Sequence, residues 1–343
     1  SGKIYCRMCF LHNLREEDII MKKVYSGVNW NKEESLYNTF WNQQWRQFWL
    51  PEEVAVSKDI KQWKQFDNQE TYKKVFAGLT MLDTLQTGIG MNKIVEHVKS
   101  EQAKAVFSAF GSFEAIHAKS YSYIFTTLCT NQEIDEVFAW IEKNEFLQFK
   151  ANKIADVYNS IKENDDKSLY KALFASVMLE SFLFYSGFFY PLYLGGHGTL
   201  KNSAEVISLI LRDESLHGVA VGYEAQQLLG KLNSGEQDEL KTWGFNFLLE
   251  LYANEMKYTE DLYAETGLSG KVKAYVRYNA NKALMNLGLD TMFQEEEIDP
   301  IVMTGIRTDS VTHDFFSQKG NSYALAKVKP ITDDTFNFKG FKL

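Results

Sequence analysis

Proline is scarce in this chain and unevenly placed. There are four, Pro51, Pro191, Pro300 and Pro330, with none between 51 and 191 or between 191 and 300. A proline inside a helix costs about 3 kcal/mol, because it lacks the amide donor and its ring meets the carbonyl four residues back. Long proline-free stretches therefore permit long helices. The alternating pattern of a half-buried strand is scarce in them, which predicts an all-α chain. Helices are expected near residues 34–48, 69–98, 101–128, 133–142, 145–163, 168–190, 203–230, 235–264 and 268–287. Beyond about residue 300 the pattern becomes irregular, and "SQKGNSY" and "DDTFNFKGFKL" read as a flexible tail.

The 343 residues are 45% hydrophobic and 15% aromatic, enough to fill a large core. A net charge of −8 and a pI near 5.4 argue against a nucleic-acid partner, which calls for a basic excess. Three cysteines suit a reducing cytoplasm rather than a disulfide framework. Cys6 and Cys9 form a CxxC with no second pair to complete a zinc site. No signal peptide is evident. Met21 resembles a natural start, so residues 1–20 read either as an upstream translation artefact or as a genuine extension. One segment, 172–194, is long and apolar enough to cross a bilayer. Glu180 lies in its middle with no basic partner nearby, and Pro191 is expected to break its end. A lone acid in lipid is costly, so a buried bundle helix is expected there and no membrane association.

"SFEAIHAKSY", 112–121, holds Glu114, His117 and Tyr121 at i, i+3 and i+7, one stripe of a helix. "LRDESLHG", 211–218, repeats the Glu-x-x-His spacing with Glu214 and His217. An acid in apolar surroundings precedes each copy: Asp83 in "LTMLDTLQTG" and Glu180 in "SVMLESFLFY". One Glu-x-x-His is commonly a solvated helix face, and one core histidine is commonly just hydrogen-bonded. Two ordered repeats of acid then Glu-x-x-His are hard to obtain by accident, and unpaired charges among Leu, Met, Val and Phe would be costly. The order matches the di-metal carboxylate constellation of ferritin-like bundles. Four carboxylates supply hard oxygen ligands able to bridge two ions, and each neutral imidazole caps one. That set suits paired iron or manganese better than zinc or calcium. His12, His97, His197 and His313 lack the pattern and read as structural or surface residues.

Such a bundle can store iron, oxidise a bound ligand or generate a radical. Tyr121, one turn beyond His117, favours the last. A buried tyrosine is usually core filler, but beside an oxidising metal pair it is also a one-electron donor. Storage would call for a hollow shell.

Several longer stretches carry a more specific resemblance: "QFWLPEE", "GLTMLDTLQ", "EAIHAKSYS", "ASVMLESFLFYSGF", "LILRDESLHG", "RYNANKALMNLG" and "DDTFNF". From about Met21 through Phe338 the chain resembles the small (beta) subunit of class Ib ribonucleotide reductase. That resemblance implies a ferritin-like helical bundle over 21–315 with two manganese or iron ions per chain. It implies Asp83, Glu114, His117, Glu180, Glu214 and His217 as ligands and Tyr121 as the tyrosyl radical. Trp49 and Asp213 would link the centre to the surface, and Tyr323 would pass the radical onward. A carboxylate on a ligating histidine independently fits Asp213, since it orients and tunes the ring, whereas Trp49 alone would read as a buried aromatic anchor. The resemblance further implies a large (alpha) catalytic subunit docked by the tail, 316–343, and a flavodoxin-like activase. The activase would supply superoxide through a polar channel at Ser181, Tyr185 and Lys282. The chain departs from the family by continuing past "DDTFNF" with "KGFKL".

Overall fold

A computed structural model of the protein describes residues 27–30 and 36–306. Residues 1–20, the expected tail, Tyr323, His12 and His313 lie outside them. The described helices are α1 (Leu36–Arg46), a short α2 (Ile60–Trp63), α3 (Gln69–Leu85), α4 (Met91–His97), α5 (Glu101–Leu128), α6 (Asn131–Lys143) and α7 (Glu145–Asn159). They continue with α8 (Asp166–Met178), α9 (Tyr185–Gly196), α10 (Lys201–Leu229), α11 (Ser234–Leu262), α12 (Ser269–Asn286) and α13 (Pro300–Ile306). No strand occurs among the described residues.

The helix ends follow local chemistry. Ser100 opens α5 by accepting the Ala103 amide at 3.2 Å. Thr130 with Glu133 and Asn233 with Glu236 form reciprocal capping boxes at α6 and α11. The start of α10 is different. Leu200 precedes it with φ 50°, in the left-handed region, and has no capping side chain of its own. Buried Asp59 caps that end from another part of the chain. Its Oδ2 accepts from the Ser203 amide at 2.7 Å and hydroxyl at 2.8 Å, and its Oδ1 from the Asn202 side chain at 2.7 Å.

α5 packs on α3, and α10 packs on α8, α9 and α5. These elements form the centre of the bundle, and their inner faces are dense in fully buried rings such as Phe107, Phe110, Phe174 and Phe188. The expected membrane-length stretch is the continuous helix Asp166–Gly196, 31 residues with a mean hydropathy of 1.5 over its most apolar window. All of that window is buried inside the bundle, so its apolar character is spent on the core.

Four features depart from the sequence expectations. The helices expected at 69–98 and 168–190 each contain a single wider turn, a π segment at Gln86–Gly90 and at Leu179–Leu183. Pro191 does not break its helix, which runs on to Gly196. The lost amide donor leaves one backbone acceptor short, and burial of Phe188, Phe189, Tyr190 and Leu192 around it offsets that cost. The linker between α1 and α3 contains two short 3-10 turns and α2. The irregular region expected beyond residue 300 begins with α13, where Pro300 is tolerated in the first turn.

Candidate metal centre

On α5 the stripe Glu114, His117, Tyr121 is fully buried, and on α10 so are Asp213, Glu214 and His217. Asp83 comes from the last turn of α3 and Glu180 from the π segment after α8; both are fully buried. A π turn carries one residue more than an α turn and so redirects the side chains around it. All of Leu179–Leu183 is buried, like the helix on either side of it.

The six predicted ligands converge in two overlapping groups. Asp83, Glu114, His117 and Glu214 form one, Glu114, Glu180, Glu214 and His217 the other, with ligand atoms in each within 4.8 Å of one another. Glu114 and Glu214 belong to both, as bridging ligands must. Nδ1 of His117 is 2.8 Å from Glu214 Oε1, and Nδ1 of His217 is 2.7 Å from Glu114 Oε1. Neither contact has hydrogen-bond geometry. Both Nδ1 atoms, both oxygens of Asp83, Glu114 and Glu214, and Oε2 of Glu180 are buried with no hydrogen-bond partner. Orphaned buried polar atoms in such number are costly unless something binds them. Hard oxygens with two imidazole nitrogens are a donor set that manganese or iron fits.

The electrostatics point the same way. Burial pushes Asp83 and Glu180 well above the usual carboxylate range, and the Glu114 and Glu214 charges add to it. Burial also acts upward on Glu114 and Glu214, but His117 and His217 hold Glu114 below that range, and Glu180 followed by the two histidines holds Glu214 below it. Burial opposes charge on both imidazoles, yet the surrounding carboxylates lift both well above the usual histidine value. Without metal, the cluster can balance its acids only with protons.

The far nitrogens of the two histidines are held differently. His117 Nε2 donates to Asp213 Oδ2 at 3.1 Å, and the same oxygen accepts from Trp49 Nε1 at 2.8 Å. Gln47 donates to Asp213 Oδ1 at 2.6 Å. His217 Nε2 donates instead to the neutral Gln44 Oε1 at 3.1 Å. Trp49 is buried and lies nearly parallel to His117, ring centroids 6.2 Å apart. Gln44, Gln47 and Gln86 escaped the sequence reading. Each is buried, but a glutamine on a helix carries no signal distinguishing a buried partner from a solvated one.

Tyr121 is fully buried and its hydroxyl has no hydrogen-bond partner among the described residues. Burial, then the charges of Asp83 and Glu214, hold its phenol well above the usual range. Of the expected channel residues, Ser181 and Tyr185 are buried one turn apart on the helix that bears Glu180. Asn286 donates to Ser181 Oγ at 3.1 Å. Lys282 is exposed on α12 and lies over the Tyr278 ring at 5.8 Å. His97 and His197 sit away from the cluster, each bonded through Nδ1 to a backbone carbonyl one turn earlier.

Comparison with known proteins agrees with this geometry. The family described as "Ribonucleotide reductase, small chain" matches residues 27–300. The ribonucleoside-diphosphate reductase subunit beta of Bacillus phage SPbeta is 52% identical over 322 residues, 93% of this chain and 98% of that protein. The Bacillus subtilis protein of the same name is 51% identical, covering 94% of this chain and 99% of its own length. Among solved structures, the dimanganese(II)-NrdF of Streptococcus sanguinis superposes with a TM-score of 0.79 at 44% identity, covering 82% of this chain and all of that one. The all-helical bundle is thus ferritin-like, with its carboxylates and imidazoles gathered at the centre, and the chain belongs to the ribonucleotide reductase small-chain family.

Proposed function

We propose that Asp83, Glu114, His117, Glu180, Glu214 and His217 hold two manganese or iron ions, and that Tyr121 carries the tyrosyl radical used for ribonucleotide reduction. A small chain of this family works with a large subunit. A metal pair bound here supplies one-electron oxidising power. The chain's own groups do the rest. Burial keeps the Tyr121 phenol protonated, so its oxidation releases an electron and a proton together. The apolar wall around it, Phe76 among the neighbours with ring centroids 5.9 Å apart, excludes water and small reductants. Trp49, Asp213 and His117 form a continuous hydrogen-bonded path from the centre, with links of 2.8 and 3.1 Å, and this path carries the radical outward. Asp213 also fixes the His117 ring so that Nδ1 faces the cluster. The observation that carries the reading is the convergence of six buried ligands, their inward atoms unpaired, one helical turn from a sealed tyrosine.

The finer assignments complete the proposal. Residues 21–315 form the radical-generating unit, a homodimer in the cytoplasm, and 316–343 dock on the large subunit with Tyr323 as the last relay. Ser181, Tyr185 and Lys282 admit superoxide from a flavodoxin-like activase when manganese is loaded. Ser181 and Tyr185 support this by lying on the helix that carries Glu180.

The test is electron paramagnetic resonance after two reconstitutions, with iron plus oxygen and with manganese plus reduced activase. We expect a tyrosyl signal in the wild type. Tyr121→Phe keeps two metals per chain, by metal analysis, and loses the signal. His117→Ala loses most metal at one position. A signal of unchanged shape and yield in Tyr121→Phe would move the radical elsewhere, and two metals in His117→Ala would remove that ligand from the set.

A further inference from the structure

Glu180 differs from the other three acids of the cluster. Asp83, Glu114 and Glu214 each have two unpartnered oxygens; Glu180 has one, Oε2. That atom faces the cluster, 3.5 Å from His217 Nδ1. Its other oxygen, Oε1, accepts a short hydrogen bond from Gln86 Nε2. Gln86 is fully buried and fully engaged. Its amide nitrogen also donates to Ser176 Oγ at 2.9 Å, and its carbonyl accepts from Tyr158 OH at 2.6 Å. Tyr158 is fully buried too.

These contacts lock the amide. Turning it over would set its carbonyl against the Glu180 carboxylate and lose that hydrogen bond in a buried site where it is costly to leave unmade; the Tyr158 and Ser176 hydroxyls hold the amide's other two positions. A carboxamide suits this place because it restrains an acid without adding charge to a cluster that already holds four carboxylates. The backbone is shaped around it. Gln86 opens the π segment and Gly90 closes it. A Cβ at Gly90 would lie 2.2 Å from Gln86 Oε1 and 2.7 Å from Tyr158 Cε2. The φ of Gly90 is −58°, open to any residue, so glycine is needed there for room and not for conformation.

We propose that Gln86, locked by Tyr158 and Ser176, is a positioning residue that holds Glu180 as a one-oxygen ligand of the ion on the His217 side. This rests on the metal-site reading above. Partners of this kind, placed behind a ligand, change metal affinity by roughly 10- to 100-fold.

The experiment titrates Mn(II) into metal-free full-length protein and follows free Mn(II) by its resonance signal, with spectra of the bound pair. Wild type, Gln86→Leu, Tyr158→Phe, the double variant and Gly90→Ala are compared. Gln86→Leu is expected to weaken one of the two Mn(II) positions about 10- to 100-fold, to leave the other unchanged, and to alter the spectrum of the pair. Tyr158→Phe, which removes the hydroxyl that donates to Gln86, shows a smaller loss at the same position and little further loss in the Gln86→Leu background. Gly90→Ala reproduces the loss without removing any hydrogen-bonding group. Wild-type affinity in Gln86→Leu, equal loss at both positions, or the same Tyr158→Phe penalty in both backgrounds would overturn the proposal. If Gln86→Leu does not fold, Tyr158→Phe, which deletes a single oxygen, and Gly90→Ala carry the test. If the wild type takes up no pair of ions, the metal-site reading itself fails. If it takes up two and the variants match it, only the role of Gln86 fails.

Discussion

Lys150 and Glu255 form a second buried charged unit, remote in kind from the metal ligands. Their side chains are 1% and 0% exposed, the ammonium is 2.6 Å from Glu255 Oε2, and it lies over the Tyr258 ring at 3.9 Å. Burial pulls the Lys150 ammonium below its usual value, against the pull of Glu255, so the charge persists only because its partner is there. Lys150→Met leaves Glu255 buried and unpaired, and is expected to cost about 3–5 kcal/mol by urea unfolding. Lys150→Met with Glu255→Leu should recover most of that loss. A double variant as unstable as the single one would contradict this account. The contrast with the metal cluster explains what could be read from the residues alone. Asp83 and Glu180 stand out as acids in apolar sequence, and the doubled Glu-x-x-His gives them partners, so the six residues that the fold gathers into one buried cluster were legible. Gln44, Gln47 and Gln86 were not, because their role depends on neighbours up to 173 residues away. Lys150 and Glu255, 105 apart, sit in helices whose other charges are exposed or only partly buried.

At the level of elements, helix positions were legible because propensity, caps and the absence of proline agreed; the span 101–128 matches α5 end to end. The π segments were not, since one extra residue in a turn leaves no distinctive mark in the sequence, whether in QTGIG or in LESFL. They occur where they matter, just beyond Asp83 and around Glu180. The helix also runs through Pro191 because packing there outweighs the local penalty. The start of α10 illustrates a tertiary cap that local sequence cannot reveal, with Asp59 lying 144 residues from Ser203. Asp59→Ala removes the acceptor for two amides and two side-chain donors. An ordinary cap contributes about 0.5–2 kcal/mol, and this buried, charged one belongs at or above the upper end. The urea midpoint should fall with little change in slope. An unchanged midpoint would mean that Asp59 does not cap the helix.

For the molecule as a whole, the proposed function assigns the radical to the bundle and the meeting with the large subunit to the segment beyond it. Phe336 and Phe338 beside Asp333 and Asp334 suit a groove that takes aromatics while acids guide the approach. Truncation after Asp314 is expected to leave the metal pair and the Tyr121 signal intact and to abolish turnover with the large subunit. Tyr323→Phe keeps binding and loses turnover. Full turnover by the truncated chain would remove the tail from the reaction. The sealed centre has one more consequence, and it concerns time. All six candidate ligands are fully buried, so a hydrated metal ion, far larger than the oxidant proposed to enter beside Ser181 and Tyr185, would need the helices to part, and its entry would be governed by that opening. Binding strength alone favours iron over manganese at a site of nitrogen and oxygen donors. A door that opens rarely lets supply compete with strength. A pair of ions taken up this way would reflect which ions were abundant during the opening, and retention of bound Mn(II) on adding Fe(II) to the folded protein is the expected sign.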